Sequence, residues 1–181
     1  MKIATPKQIV SFWHKAGPKR WFKKDPAFDQ KIHEHYLITH QAAAMGKLTE
    51  WENDAEGALA LLLLLDQFPR NMFRGTNRAF ANDEQARAVA ARAIKHGFDK
   101  KVPNDLRTFF YLPFEHSEDL ADQDKCLKLF RAMKDKEMIK WAKVHRDIIK
   151  QFGRFPHRNE ILRRNSTPEE TAFLEQGGFS G

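Results

Sequence analysis

Three short blocks hold the groups best suited to chemistry: Asp66-Gln67-Phe68-Pro69-Arg70-Asn71, Tyr111-Leu112-Pro113-Phe114-Glu115-His116-Ser117-Glu118, and Phe152-Gly153-Arg154-Phe155-Pro156-His157-Arg158-Asn159. Each places a proline directly after a large apolar residue and follows it within three positions with cationic, imidazole or carboxamide groups. Proline ends or bends a helix and biases the preceding residue toward extended backbone, so each block predicts a helix edge from which polar groups project. Arg70, Arg74, Arg154 and Arg158 carry planar forks that suit phosphate or carboxylate, and Asn159 adds a carboxamide beside them. Asp66 follows Leu59, Leu62 and Leu63 on one helical stripe, which turns it inward, where an ionised carboxylate needs partners. Its two readings are an internal ion pair that ties helix ends together and a functional group, either a base or an acid that orients a ligand or a ligand-binding arginine.

His116, Glu118, His145 and His157 are the candidates for proton transfer. Each has a structural alternative. His145 lies on an apolar helix stripe, as a hydrogen-bonded core histidine would, and Ser117 with Glu118 or Asp119 can cap the next helix. Together with Asp66 these groups offer the nitrogen and oxygen ligands a hard cation takes, but no spacing matches a metal motif. No metal ligand is therefore assigned, and the cofactor is unknown. His33-Glu34-His35 sets its imidazoles on diverging helix faces, and His116-Ser117-Glu118 lacks the Pro-Cys-x-x-Cys partner of zinc deaminases. His145-Arg146-Asp147 mimics a kinase catalytic loop without any glycine-rich phosphate loop.

The elements that position these blocks read as helices throughout, with no period-two strand bounded by hairpin turns, so the fold class is all-α. Thr5-Pro6 opens a first helix to about Lys15. Asp25-Pro26 opens a second, closed by Gly46. Asn53 with Glu56 resembles a capping box for a third, which runs through the leucines to Phe68 and stops at Pro69. Asn82 with Gln85 starts a fourth, ended by Gly97. Further helices are expected over Asn104 to Tyr111, about Asp119 to Lys134, and Met138 to Phe152 with Gly153 as its cap; Thr167-Pro168-Glu169-Glu170 announces a short last one. Connections this short favour antiparallel neighbours, in a bundle or in stacked helix pairs.

At 181 residues, with 41% hydrophobic residues and 15 Phe, the chain predicts one folded domain over 1–181, with residues 177–181 frayed. A single cysteine, Cys126, excludes an intramolecular disulfide and makes the cytoplasm the simplest location. The longest apolar stretch, Ala58 to Leu65, is far short of a membrane span, so no membrane partner is expected. Charge is uneven: from Lys125 to Arg164 there are thirteen Lys and Arg against four Asp and Glu, a larger surplus than the +7 of the whole chain. The expected partner is a small phosphate- or carboxylate-bearing anion, held in one polar Arg/His/Asp pocket on which the three blocks converge. The alternatives are an acidic peptide on a helical interaction module, and nucleic acid along the basic C-terminal third with Trp141, Phe152 and Phe155 interleaved.

The three blocks, with Phe73-Arg74-Gly75 and His145-Arg146-Asp147, resemble the bacterial family known as domain of unknown function 924. Phe12-Trp13, Trp21-Phe22, Asp25-Pro26-Ala27-Phe28-Asp29 and Ser166-Thr167-Pro168-Glu169-Glu170 extend the resemblance over nearly the whole chain. It implies a compact domain of about eight to nine antiparallel helices in tetratricopeptide-like pairs, and no activity. One departure stands out. Where the family pattern has Leu-Gly-Arg before Ser-Thr, this chain has Leu162-Arg163-Arg164-Asn165, so a glycine is missing.

Overall fold

Side-chain caps at Thr5, Asp25, Asp54, Asp119, Asp135 and Thr167 start six helices of the computed structural model, which describes residues 2–180, whereas Asn82, expected to cap with Gln85, makes no such bond. Described in chain order, the helices are α1 (Pro6–Ala16), α2 (Pro18–Trp21), α3 (Pro26–Ala44), α4 (Ala55–Leu62), α5 (Phe68–Met72), α6 (Asp83–Lys95), α7 (Asn104–Arg107), α8 (Leu112–Glu115), α9 (Leu120–Met133), α10 (Lys136–Phe152) and α11 (Pro168–Glu175), with 3-10 turns between several of them. No strand occurs among the described residues, and the fold is all-α. The Thr5 hydroxyl and the Gln8 side chain complete a capping box on α1, and Thr167 with Glu170 does the same for α11, each with proline in the first helical turn.

The residues fall into two compact units, 1–74 with 78–113, and 75–77 with 114–181. In the first, α4 is apolar nearly all round because it is enclosed: α1 and α6 pack on it, while α3 packs on α5. Trp13 is fully buried, stacked on Trp21 at 6.2 Å and tilted on Phe68 at 5.5 Å, and it meets Phe109 edge-on at 5.6 Å. Each such ring contributes about 2–3 kcal/mol through burial. In the second unit, Lys134 takes a left-handed backbone (φ 61°) and Asp135 caps α10, a connection short enough to fold α10 back along α9. Ala142, His145, Ile148 and Ile149 form the buried stripe of α10. At its end Gly153 has φ 71° and donates its N–H to Ile149, a geometry in which a Cβ would be strained.

Several boundaries differ from the sequence expectation. Asp54, not Asn53, caps α4, because its carboxylate accepts the Gly57 N–H. Pro69 does not stop the helix. Residues Leu63–Gln67 widen into a π turn and the chain continues into α5, with Pro69 in its first turn. Proline has no N–H to give the π-register acceptor, the Leu64 carbonyl, and the His40 Nδ1–H takes that place at 2.8 Å. The helix expected from Asn104 to Tyr111 is α7 followed by a 3-10 turn, Thr108–Phe110, and the Tyr111 hydroxyl beyond it donates to Asp99 at 2.6 Å. The cap of α9 is Asp119, which accepts the Ala121 N–H, while the Ser117 hydroxyl donates to Asp122. Of the tail expected to fray, Gly181 lies outside the described residues, and Phe179 packs against Trp141, His145 and His157.

Candidate functional site

The first block lies in the first unit, and its charges are engaged there. Asp66, on the π turn, is 1% exposed; it accepts from Gln67 at 2.5 Å and pairs with Arg70 at 3.1 Å. Arg70 also donates to the Asp66 carbonyl at 2.7 Å and forks onto Asp83 at 2.9 and 3.0 Å. Asp29 takes Asn71 at 2.7 Å and both prongs of Arg74 at 2.8 and 3.1 Å. The arginine forks expected to meet a ligand carboxylate here meet carboxylates of the chain.

The polar part of the second block, Phe114 to Glu118, and the whole third block belong to the second unit, where hydrogen bonds join them. Glu118 accepts the Phe155 N–H at 2.9 Å and both prongs of Arg164 at 2.7 and 3.0 Å. Burial alone would raise the Glu118 pKa, but Arg164 and that amide outweigh it and hold the carboxyl below its usual range. Arg158 is buried; it donates to the His116 carbonyl at 3.0 Å and lies 4.5 Å over the Phe155 ring. Arg154 forks onto Glu170 at 2.6 and 2.8 Å and reaches the Asn165 carbonyl, while the Asn159 amide donates to Ser166 and Glu170. Arg154 first, with the Thr167 N–H and Asn159 adding to it, holds Glu170 down to about 2.

Two imidazoles complete this region. The His145 Nδ1–H donates to the Trp141 carbonyl at 2.9 Å, which assigns the tautomer, and Nδ1 lies 3.6 Å from Glu115. The other oxygen of Glu115 accepts the Cys126 thiol, which burial and that carboxylate hold in its neutral form. His157 is pushed down to about 3, chiefly by burial and then by Arg158 and His145, so it is neutral at physiological pH. Phe179 covers both rings, with centroids 4.5 Å from His145 and 5.2 Å from His157. Among the described residues, no group of three or more His, Cys, Asp or Glu is arranged to hold a metal. Sequence reasoning missed Glu115, Cys126, Arg164 and Glu170 as members of this network. In the sequence Glu170 reads as a cap, and Arg164 as part of the basic surplus and of the departure from the family pattern. The position that lost the glycine, Arg163, has φ 55°, so the chain keeps a backbone that glycine favours and thereby aims Arg164 at Glu118.

An open groove of about 500 Å³ runs between α9 and α10, lined by Asp124, Leu127, Lys128 and Arg131 from one helix and Lys143, Arg146 and Asp147 from the other. Spacings of three and four put each set on one helix face. Arg146 is paired to Asp124 and lies 3.5 Å from Asp147. Lys128, Arg131 and Lys143 are exposed, and none of the described ion pairs involves them. The signal for this grouping was the basic surplus of the C-terminal third together with that helical spacing.

A family model described as a bacterial protein of unknown function (DUF924) matches residues 9–178. A solved structure of a protein of unknown function from Agrobacterium tumefaciens is similar to this chain with a TM-score of 0.93 and 51% identity, over 95% of this chain and 97% of that one. Among curated proteins, none matches.

Proposed function

Because the chain belongs to the DUF924 family, whose description supplies no reaction, its role has to come from geometry, and we propose that it binds a small phosphate- or carboxylate-bearing anion in the groove between α9 and α10. The observation that carries this reading is the set of three groove cations, Lys128, Arg131 and Lys143, without a carboxylate partner among the described ion pairs. Arg70, Arg74 and Arg154 are poorer candidates than their sequence pattern suggested, since a ligand would first have to displace Asp83, Asp29 or Glu170. The groove volume falls within the roughly 300–1,000 Å³ of small-ligand pockets. Six of its seven lining residues are charged, four of them cationic, which suits an anion bound by charge and hydrogen bonds.

Isothermal titration with pyrophosphate and with citrate, at about 50 mM salt to limit screening, tests the reading. Lys128→Gln and Lys143→Gln are each expected to weaken binding about tenfold, equivalent to about 1.4 kcal/mol. Arg154→Gln, which breaks the pair with Glu170, should leave affinity unchanged as long as the protein is folded. Heat signals that are indifferent to Lys128 and Lys143 would remove the groove from consideration. A hexaglutamate peptide binding more tightly than citrate would instead support an interaction module for acidic partners.

A further inference from the structure

The basic surplus has a second centre, in the first unit. Residues 1–24 contain seven Lys and Arg and no Asp or Glu; the first acid is Asp25. Five of those cations, Lys15, Lys19, Arg20, Lys23 and Lys24, lie on the stretch that runs from the end of α1 through α2 to α3, and all five are exposed. In their midst Phe22 is 60% exposed, a large apolar side chain held in water.

The local build explains why. Gly17 turns the chain with φ 72°, and Pro18 starts α2. Trp21 is then pinned from below: it is 6% exposed, it stacks on Trp13, and its Nε1–H donates to the Trp13 carbonyl at 2.7 Å. With Trp21 anchored inward, its neighbour Phe22 is directed outward, resting one ring face on Phe109 at 6.3 Å. The tip is therefore presented to solvent. The adjacent carboxylates are occupied, Asp25 by the Phe28 N–H as the cap of α3 and Asp105 by His14 at 3.1 Å. None of the described ion pairs involves any of the five cations.

We propose that this turn docks on an anionic lipid surface, with Phe22 entering the boundary between headgroups and acyl chains and the five cations meeting headgroup phosphates and carboxylates. Charge complementarity and an apolar tip ringed by Lys and Arg are the two ingredients of peripheral membrane binding. Single-stranded nucleic acid fits less well, because it uses successive stacking faces along a groove, and here Trp21 is turned inward and leaves one exposed ring.

Co-sedimentation with vesicles tests the proposal, comparing pure phosphatidylcholine with phosphatidylcholine carrying about 30% phosphatidylserine, at about 50 and about 300 mM salt. Retention is expected on the anionic vesicles at low salt, and at least about tenfold weaker retention on the neutral ones or at high salt. Phe22→Ala should weaken it about fivefold to tenfold, and Lys19→Gln with Lys23→Gln about tenfold or more. Because these side chains are exposed, melting temperatures should be unchanged, and the groove pair Lys128→Gln with Lys143→Gln should bind vesicles like the parent protein. Absence of retention at low salt would overturn the proposal, as would retention indifferent to Phe22 and the two lysines. A labelled oligothymidine that binds more tightly than the vesicles and is lost with Phe22→Ala would assign the turn to nucleic acid and end it as well.

Discussion

His157 sits beside Arg158 and His145 with its Nδ1 buried and without a hydrogen-bond partner among the described residues, which favours the neutral ring. Its folded pKa, about 3, lies below the ordinary 6.5. Between those values the unfolded chain binds a proton that the folded protein does not, so stability is complete above pH 6.5 and declines as pH falls through that window. By about pH 5 the loss from this one group approaches about 2 kcal/mol. His157→Gln should make the decline between pH 6.5 and 5 shallower by about that amount in urea unfolding curves. Parallel slopes in parent and variant would refute the argument. Glu118 and Glu170 act in the same direction at lower pH: both are held below the ordinary 4.5, so the stability they add is present above that value and lost as acid protonates them. Sequence pattern identified these residues as polar and clustered, but it could not say which carboxylate each arginine already holds.

The π turn and the backbone at Arg163 carry consequences at the level of whole elements. Pro69 leaves the Leu64 carbonyl without its helical donor, and the His40 imidazole supplies one from α3. His40→Leu should leave that buried acceptor unpaired and cost about 1–3 kcal/mol in urea unfolding, and a variant as stable as the parent would show that the contact is dispensable. Arg163 is the opposite case: a non-glycine residue held at φ 55°. Arg163→Gly removes a left-handed strain of about 1–2 kcal/mol and adds backbone freedom to the unfolded chain, for a net gain of about 0.5–1 kcal/mol and a melting temperature a few degrees higher. A fall in melting temperature would mean that the Arg163 side chain has a stabilising role of its own. Helix starts at Thr5, Asp25 and Thr167 were legible because a cap, a proline and the first turn lie within four residues of one another. The passage through Pro69 was not, because the donor that makes it tolerable, His40, lies 24 residues from the Leu64 carbonyl it serves.

Over the whole molecule, the net charge of +7 conceals two concentrations, one in residues 1–24 and one in 125–164, separated by stretches that are acidic on balance. Electrostatic capture of anions is governed by such local surpluses and not by the average. The third reservoir of positive charge, Arg70, Arg74, Arg154 and Arg164, is largely spent on Asp83, Asp29, Glu170 and Glu118.

That spending marks the line between what the amino-acid order determined and what the tertiary structure decided. Helical class, most helix starts, the apolar stripes and the positions of the polar blocks follow from interactions three or four residues apart, and a linear pattern contains these in full. Whether a given cation faces a ligand or a carboxylate of its own chain depends on partners far along the sequence, such as Asp29 with Arg74, Glu118 with Arg164 and Arg154 with Glu170. Hydrogen bonds form only at about 3 Å and exposed charges are screened beyond about 10 Å, so those partners exist only once the helices have been brought together.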